Sequence, residues 1–155
     1  MPTTSTLYIP NNLFFAEVQA QIQAGKKVRI RVRGNSMLPF VRNNDEALLV
    51  APQPEDIRKG TPVVAVTREL GIVLHRIHRI HGNEITLLGD GNIHQFEHTT
   101  PDRIIAVVSH FYRGRYTLPT HSWWMKVCAR LWMAAHPWRR KVLNGAWKLK
   151  KCLFN

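Results

Sequence analysis

Cysteine is scarce. Cys128 and Cys152 are the two in 155 residues, too few for a disulfide framework and in keeping with a reducing cytosol. No run of 18 apolar residues is free of charge, so a membrane-spanning helix is not expected. Met1 to Ile9 has neither a basic segment nor an apolar one, which argues against a secretory signal. Internal repeats and low-complexity stretches are also missing. Acidic residues are absent from one whole region, 113–155. Against these gaps, apolar residues make up 45% and charged residues 21%. That is ordinary for a chain that buries a core and too apolar for a disordered one.

Charge divides the chain. Residues 1–112 hold twelve Lys/Arg and ten Asp/Glu, a net of +2. Residues 113–155 hold ten Lys/Arg and no acid, a net of +10, together with all five tryptophans (Trp123, Trp124, Trp132, Trp138, Trp147). The organisation expected is an N-terminal helix and lead-in over 1–25, a near-neutral body over 26–112 and a basic, Trp-rich tail over 113–155.

Residues 11–24 read as a short helix. Asn11 or Asn12 serves as N-cap, Leu13, Phe14, Val18 and Ile22 lie at helical spacing, and Gly25 is the stop. Val28, Ile30 and Val32 then alternate with Arg29, Arg31 and Arg33, the period of a strand with one wet face. Further strands are expected over 46–50, 61–67, 72–80, 84–90 and 103–112, with Gly82-Asn83 as a tight hairpin turn. The body is therefore mainly β, a small coiled antiparallel sheet or barrel. The tail reads as helix on both sides of Pro137, with a second short helix from Pro137 to about Leu149.

One stretch suggests chemistry. In Gly34-Asn35-Ser36-Met37-Leu38-Pro39 a serine follows a strand and a glycine, and a proline closes the turn. Such a turn lifts a hydroxyl out of a sheet and leaves backbone N–H groups, those of Ser36 and Met37, free to hold an oxyanion. A solvated serine in a tight turn is the plain alternative. Further on stand Asn44-Asp45, Leu74-His75-Arg76-Ile77 and Gly89-Asp90-Gly91-Asn92. In order and spacing this set resembles the signal peptidase family, most closely its endoplasmic-reticulum and spore-former branch, which uses histidine where most bacterial members use lysine. LexA-type self-cleaving repressors are similar over the same core. The resemblance covers about residues 26–110.

The resemblance implies Ser36 as nucleophile, His75 as general base and Asp90 as the supporting acid, with Gly34, Pro39, Gly89 and Asn92 as structural positions. A serine hydroxyl needs a neighbour to take its proton, and imidazole is suited to that at neutral pH. His75 could equally be a buried histidine among Val73 and Ile77. Three departures from the family pattern stand out. Gly34 occupies the place of a hydroxyl that donates to the oxyanion in many bacterial members. His94-Gln95-Phe96-Glu97 replaces a region with a second aspartate, and Glu97 is the nearest carboxylate. The usual N-terminal anchor is missing.

The reading is a serine endopeptidase acting on a signal, leader or precursor peptide, held as an added strand. Its rivals are a non-catalytic peptide-binding module on the same fold and a self-cleaving regulator cutting at Ala24-Gly25. No cofactor is expected. A metal site built on His75, His78 and His81 is disfavoured, because on a strand His78 points away from the other two. Tryptophan with Lys/Arg suits an anionic membrane, so residues 120–155 are expected either to dock a cytoplasmic enzyme at the inner face of the membrane or to pack on the body. Nucleic acid is the weakest partner, since no recognition helix is evident.

Overall fold

The computed structural model describes residues 11–139, 141 and 142. Helix α1 (Asn11–Gln23) leads into strands β1 (Val28–Arg31), β2 (Glu46–Val50), β3 (Pro62–Thr67), β4 (Gly71–His81), β5 (Glu84–Leu88), β6 (Phe96–Thr99), β7 (Ile104–Arg113) and β8 (Tyr116–Pro119), followed by helix α2 (Trp123–Ala134). The strands form an eight-stranded antiparallel sheet in the order β1-β2-β7-β3-β4-β5-β6, with β8 paired to β7. The expected mainly β architecture, with a helix at each end, is what forms. Strands β6 and β8 were not expected; Phe96-Glu97-His98-Thr99 and Tyr116-Thr117-Leu118-Pro119 are too short and too polar to show a period of two. β8 also carries the sheet past residue 112, into the basic region. The helix expected from Pro137 to Leu149 lies mostly outside the described residues, and Pro137 itself falls in a single 3₁₀ turn, His136–Trp138.

Alternation decides what each strand buries. Ile30 and Val32 face inward while Arg29, Arg31 and Arg33 stay exposed. Both faces of the central sheet are covered. One core joins Val18 and Ile22 of α1 to Ile30, Val41, Leu49, Val64, Val108 and Phe111. The other gathers Val63, Ala65, Ile77, Ile85, Leu87, Ile104 and Val107. Leu13, expected on the inner face of α1, is exposed. Helix α2 lies on the body through Met125, Ala129 and Met133, spaced by four.

The β4–β5 hairpin contains a bulge that sorts the polar side chains. From the turn, His81 pairs with Glu84, Ile80 with Ile85 and Arg79 with Thr86, after which Ile77 pairs with Leu87 and Arg76 with Leu88. His78 is the extra residue. Without it the same ladder would set His75 opposite Asp90. With it, every β4 residue beyond the bulge changes face relative to β5. Leu87 also pairs with Glu97 of β6, so Ile77, Leu87, Glu97 and His75 share one face. Arg76 goes to the other face with Leu88 and, two residues further, Asp90.

Arg76 and Asp90 form a buried bidentate pair, with Nε to Oδ1 at 2.9 Å and the second guanidinium nitrogen to Oδ2 at 2.7 Å. Arg76 also donates to the Gly60 carbonyl at 2.7 Å. Removing one member strands a buried charge. Arg76→Met should cost about 3–5 kcal/mol in urea unfolding, and adding Asp90→Asn should recover part of that loss.

The bulge residue His78 packs its ring against Phe96 and His136, with centroids at 5.5 and 5.9 Å. Burial first, then the charges of Lys59, His136, Arg139 and Arg79, lower its pKa from the ordinary 6.5. The folded state therefore prefers neutral His78. Its contribution is present above the unfolded pKa of about 6.5 and is lost as pH falls through the lower folded value. Thermal scans from pH 7.5 to 5 should show wild type losing more stability on acidification than His78→Phe.

Candidate active site

The serine turn is held at both ends. Val32 donates to the Asp45 carbonyl at 2.8 Å and accepts from Asn44 N–H at 2.9 Å, which closes the loop at its base. Gly34 takes φ +90, a left-handed conformation that suits glycine. Its N–H donates to Asn43 Oδ1 at 3.0 Å. Met37 is buried in the α1-side core and anchors the far side of the turn. Between these anchors stands Ser36. Among the described residues, the amides of Ser36 and Met37 take no part in the backbone hydrogen bonding of this turn, whereas Leu38 N–H donates to the Asn35 carbonyl.

A second loop, residues 89–93, is wedged against the first. Gly91 N–H donates to the Ser36 carbonyl at 2.7 Å. A Cβ on Gly89 would lie 2.5 Å from that carbonyl oxygen, 2.8 Å from Asn92 Nδ2 and 3.0 Å from His75 Nε2. A side chain there would push the serine turn and the imidazole away, so the close approach requires glycine. Gly34, Gly89 and Asn92 lie in these two interlocking turns. Pro39 follows Leu38 through a cis peptide bond.

These turns bring together two side chains that are 39 residues apart in the chain. His75 Nε2 lies 3.0 Å from Ser36 Oγ. On the other side of the ring, His75 Nδ1 lies 2.8 Å from Glu97 Oε2. Both ring and carboxylate are buried, His75 at 4% exposure and Glu97 at 0%. A carboxylate only accepts, so Nδ1 carries the hydrogen and donates to Glu97. That leaves the Nε2 lone pair to accept from the Ser36 hydroxyl. The three groups are aligned for passing a proton from serine to imidazole, with the resulting cation beside a carboxylate.

Asp90 does not take the place expected for it. It is bound to Arg76 on the other face, and its backbone carbonyl accepts from Trp132 Nε1 at 2.7 Å. Glu97 is the acid that reaches His75. The physical reason is the β4 bulge, which exchanges the two carboxylates between faces; the hairpin sequence alone, paired without a bulge, gives Asp90. The histidines at 78 and 98 do not join His75. His78 packs on Phe96 and His136, and the half-buried His98 pairs with Glu69. Among the described residues, no three His, Cys, Asp or Glu side chains converge as metal ligands would.

Ser36 and His75 open on a cleft of about 520 Å³. One wall is Ile30 to Gly34, where β1 is the edge of the sheet; the other is Ile72 to His75, the part of β4 that β5 does not cover. Phe14 and Phe15 of α1 and Leu70 form the apolar end. Two strand edges thus line the cleft beside Ser36.

A model of the Peptidase S24-like family matches residues 3–109, a span that contains Ser36, His75, Asp90 and Glu97 and ends before α2. No match is found among curated proteins or solved structures. Of the two relatives that the motifs suggested, the match supports the LexA-like one, and it does not reach the histidine-using signal peptidase branch. No helix among the described residues is long and apolar enough to cross a membrane. A curled antiparallel sheet, a serine raised between two interlocking turns and a family match over more than half of the chain place this protein in the Peptidase S24-like family.

Proposed function

We propose that the protein is a serine endopeptidase in which Ser36 is the nucleophile, His75 the general base and Glu97 the carboxylate that orients it. The observation that carries this reading is the unbroken line from Ser36 Oγ to His75 at 3.0 Å and from His75 to Glu97 at 2.8 Å. An extended peptide adds to the strand edges of the cleft. Ser36 Oγ attacks the scissile carbonyl as His75 Nε2 takes its proton, and the N–H groups of Ser36 and Met37 receive the oxyanion. His75 returns that proton to the departing amine, leaving an acyl-enzyme. Water, deprotonated by His75, then releases the acid product and frees the serine. Glu97 keeps the tautomer fixed and stabilises the imidazolium. Asp90 supports the site from below through Arg76, not by touching the imidazole.

Self-cleavage at Ala24-Gly25 is disfavoured by its conformation. Ala24 N–H donates to the Ala20 carbonyl and Gly25 N–H to that of Ile22, with Gly25 at φ +75. The bond is tied into the turn that ends α1, whereas a strand edge takes extended chain.

A fluorophosphonate probe tests the reading. Wild type should be labelled and Ser36→Ala should not. His75→Ala and Glu97→Gln should be slowed about 10²–10⁴-fold, the range for a removed base or its tautomer-setting acid. A wild-type protein that stays unlabelled, or a Ser36→Ala variant labelled at the same residue-averaged rate, rules the peptidase out in favour of a peptide-binding module.

A second reading concerns where the enzyme works. Trp123, Trp124, Val127, Leu131 and Trp138 are exposed, Trp123 at 77% and Leu131 at 65%. The first four lie on the side of α2 away from its buried seam, with the exposed Lys126 and Arg130 beside them, and Trp138 lies in the turn that follows. An apolar, Trp-rich stripe with only positive flanks fits an anionic lipid surface. The intact protein should sediment with vesicles of anionic lipid and not with zwitterionic ones, and Trp123→Ser/Leu131→Gln should reduce binding at least tenfold. Equal sedimentation of wild type and the double variant would remove the idea.

A further inference from the structure

Helix α2 and the turn after it lie beyond the stretch that matches the family, residues 3–109, yet they grip the active-site loops. Three side chains in this region each donate to a carbonyl of the 89–93 loop. Trp132 Nε1 reaches the Asp90 carbonyl at 2.7 Å, His136 Nε2 the Ile93 carbonyl at 2.7 Å and Arg139 the Asn92 carbonyl at 3.3 Å. The inner side of the same loop holds the serine turn, through Gly91 N–H to the Ser36 carbonyl and through the Gly89 backbone lying close against His75 Nε2. The loop itself contains no helix or strand. Irregular backbone of this kind moves unless it is tied down.

Trp132 holds both turns at once. Its N–H binds the 89–93 loop, and its ring meets Phe40 edge to face at 6.5 Å between centroids. Phe40 follows directly on the Ser36–Pro39 turn and accepts the Arg76 guanidinium over its own ring at 5.1 Å. Arg139 is almost fully buried and fixes the helix end by donating Nε to the Trp132 carbonyl at 3.1 Å.

We propose that Trp132, His136 and Arg139 are positioning residues for Ser36: the C-terminal helix is a clamp that presses the 89–93 loop against the serine turn and sets the nucleophile at its distance from His75. This rests on the peptidase reading for its chemistry, but the clamp is a statement about loop order.

The informative variants remove one donor at a time. Trp132→Phe keeps an aromatic ring beside Phe40 and loses the N–H together with part of the indole. Its fluorophosphonate labelling, measured well below the thermal midpoint, should be slowed about 10–100-fold per folded molecule, as expected for a displaced reacting group. His136→Ala should behave likewise, and His136→Gln, which keeps an N–H, should restore most of the rate. A residue that served stability alone would lower the midpoint and leave that rate unchanged. Amide exchange of Gly91 gives a readout that needs no activity: it should be protected in wild type and faster in Trp132→Phe and His136→Ala. Wild-type labelling and wild-type Gly91 protection in both variants would overturn the clamp. If Trp132→Phe fails to fold, the His136 pair decides. If wild type itself resists labelling, the peptidase reading fails, and Gly91 exchange still decides the clamp.

Discussion

The extra residue in β4 is the constraint on which the site depends. An antiparallel ladder has a strict period of two, so one inserted residue reverses the facing of every side chain beyond it. His78 is that residue. Its presence sends His75 to the face of Glu97 and Arg76 to the face of Asp90. Two basic and two acidic groups, all buried, are thereby sorted into separate pairs. A mixed arrangement would leave a guanidinium near the serine and an imidazole in the structural layer. Buried charges tolerate little misplacement, because each must find its partner once water is excluded.

The two pairs differ in geometry. Arg76 and Asp90 make two parallel hydrogen bonds, and Arg76 also ties down Gly60. Such a fork fixes positions. His75 makes one bond on each ring nitrogen, and the Ser36 side opens on a cleft. The second oxygen of Glu97 has no hydrogen-bond partner among the described residues.

Around this pairing the chain uses backbone more than side chains. Glycine at 89 and 91 lets two turns touch with almost nothing between them, and tryptophan, histidine and arginine of the C-terminal region hold the outer turn by its carbonyls. The basic, Trp-rich segment therefore does more than present a charged surface. One side of α2 buries methionine and alanine on the body, and the opposite side leaves tryptophan, valine and leucine exposed.

Much of this was legible in the residues themselves. The alternation Val28-Ile30-Val32, the apolar β-branched runs and the Gly82-Asn83 turn specify local geometry within a few residues, and the sheet follows them. Ser36 and His75 were singled out by the resemblance that their ordered motifs carry, since a serine in a turn and a histidine in a strand have plainer readings when taken alone. β6 and β8 were not, since four-residue strands gain their order from neighbours and not from their own pattern. The identity of the acid beside His75 was not legible either. Both Asp90 and Glu97 lie near enough in sequence, and only the bulged register, a property of two strands paired and packed together, chooses between them. The role of Trp132 was hidden for the same reason: a hydrogen bond across 42 residues exists only once the helix has been laid against the sheet. Sequence fixes what each segment can form by itself; facing and distance between segments are set by how they pack.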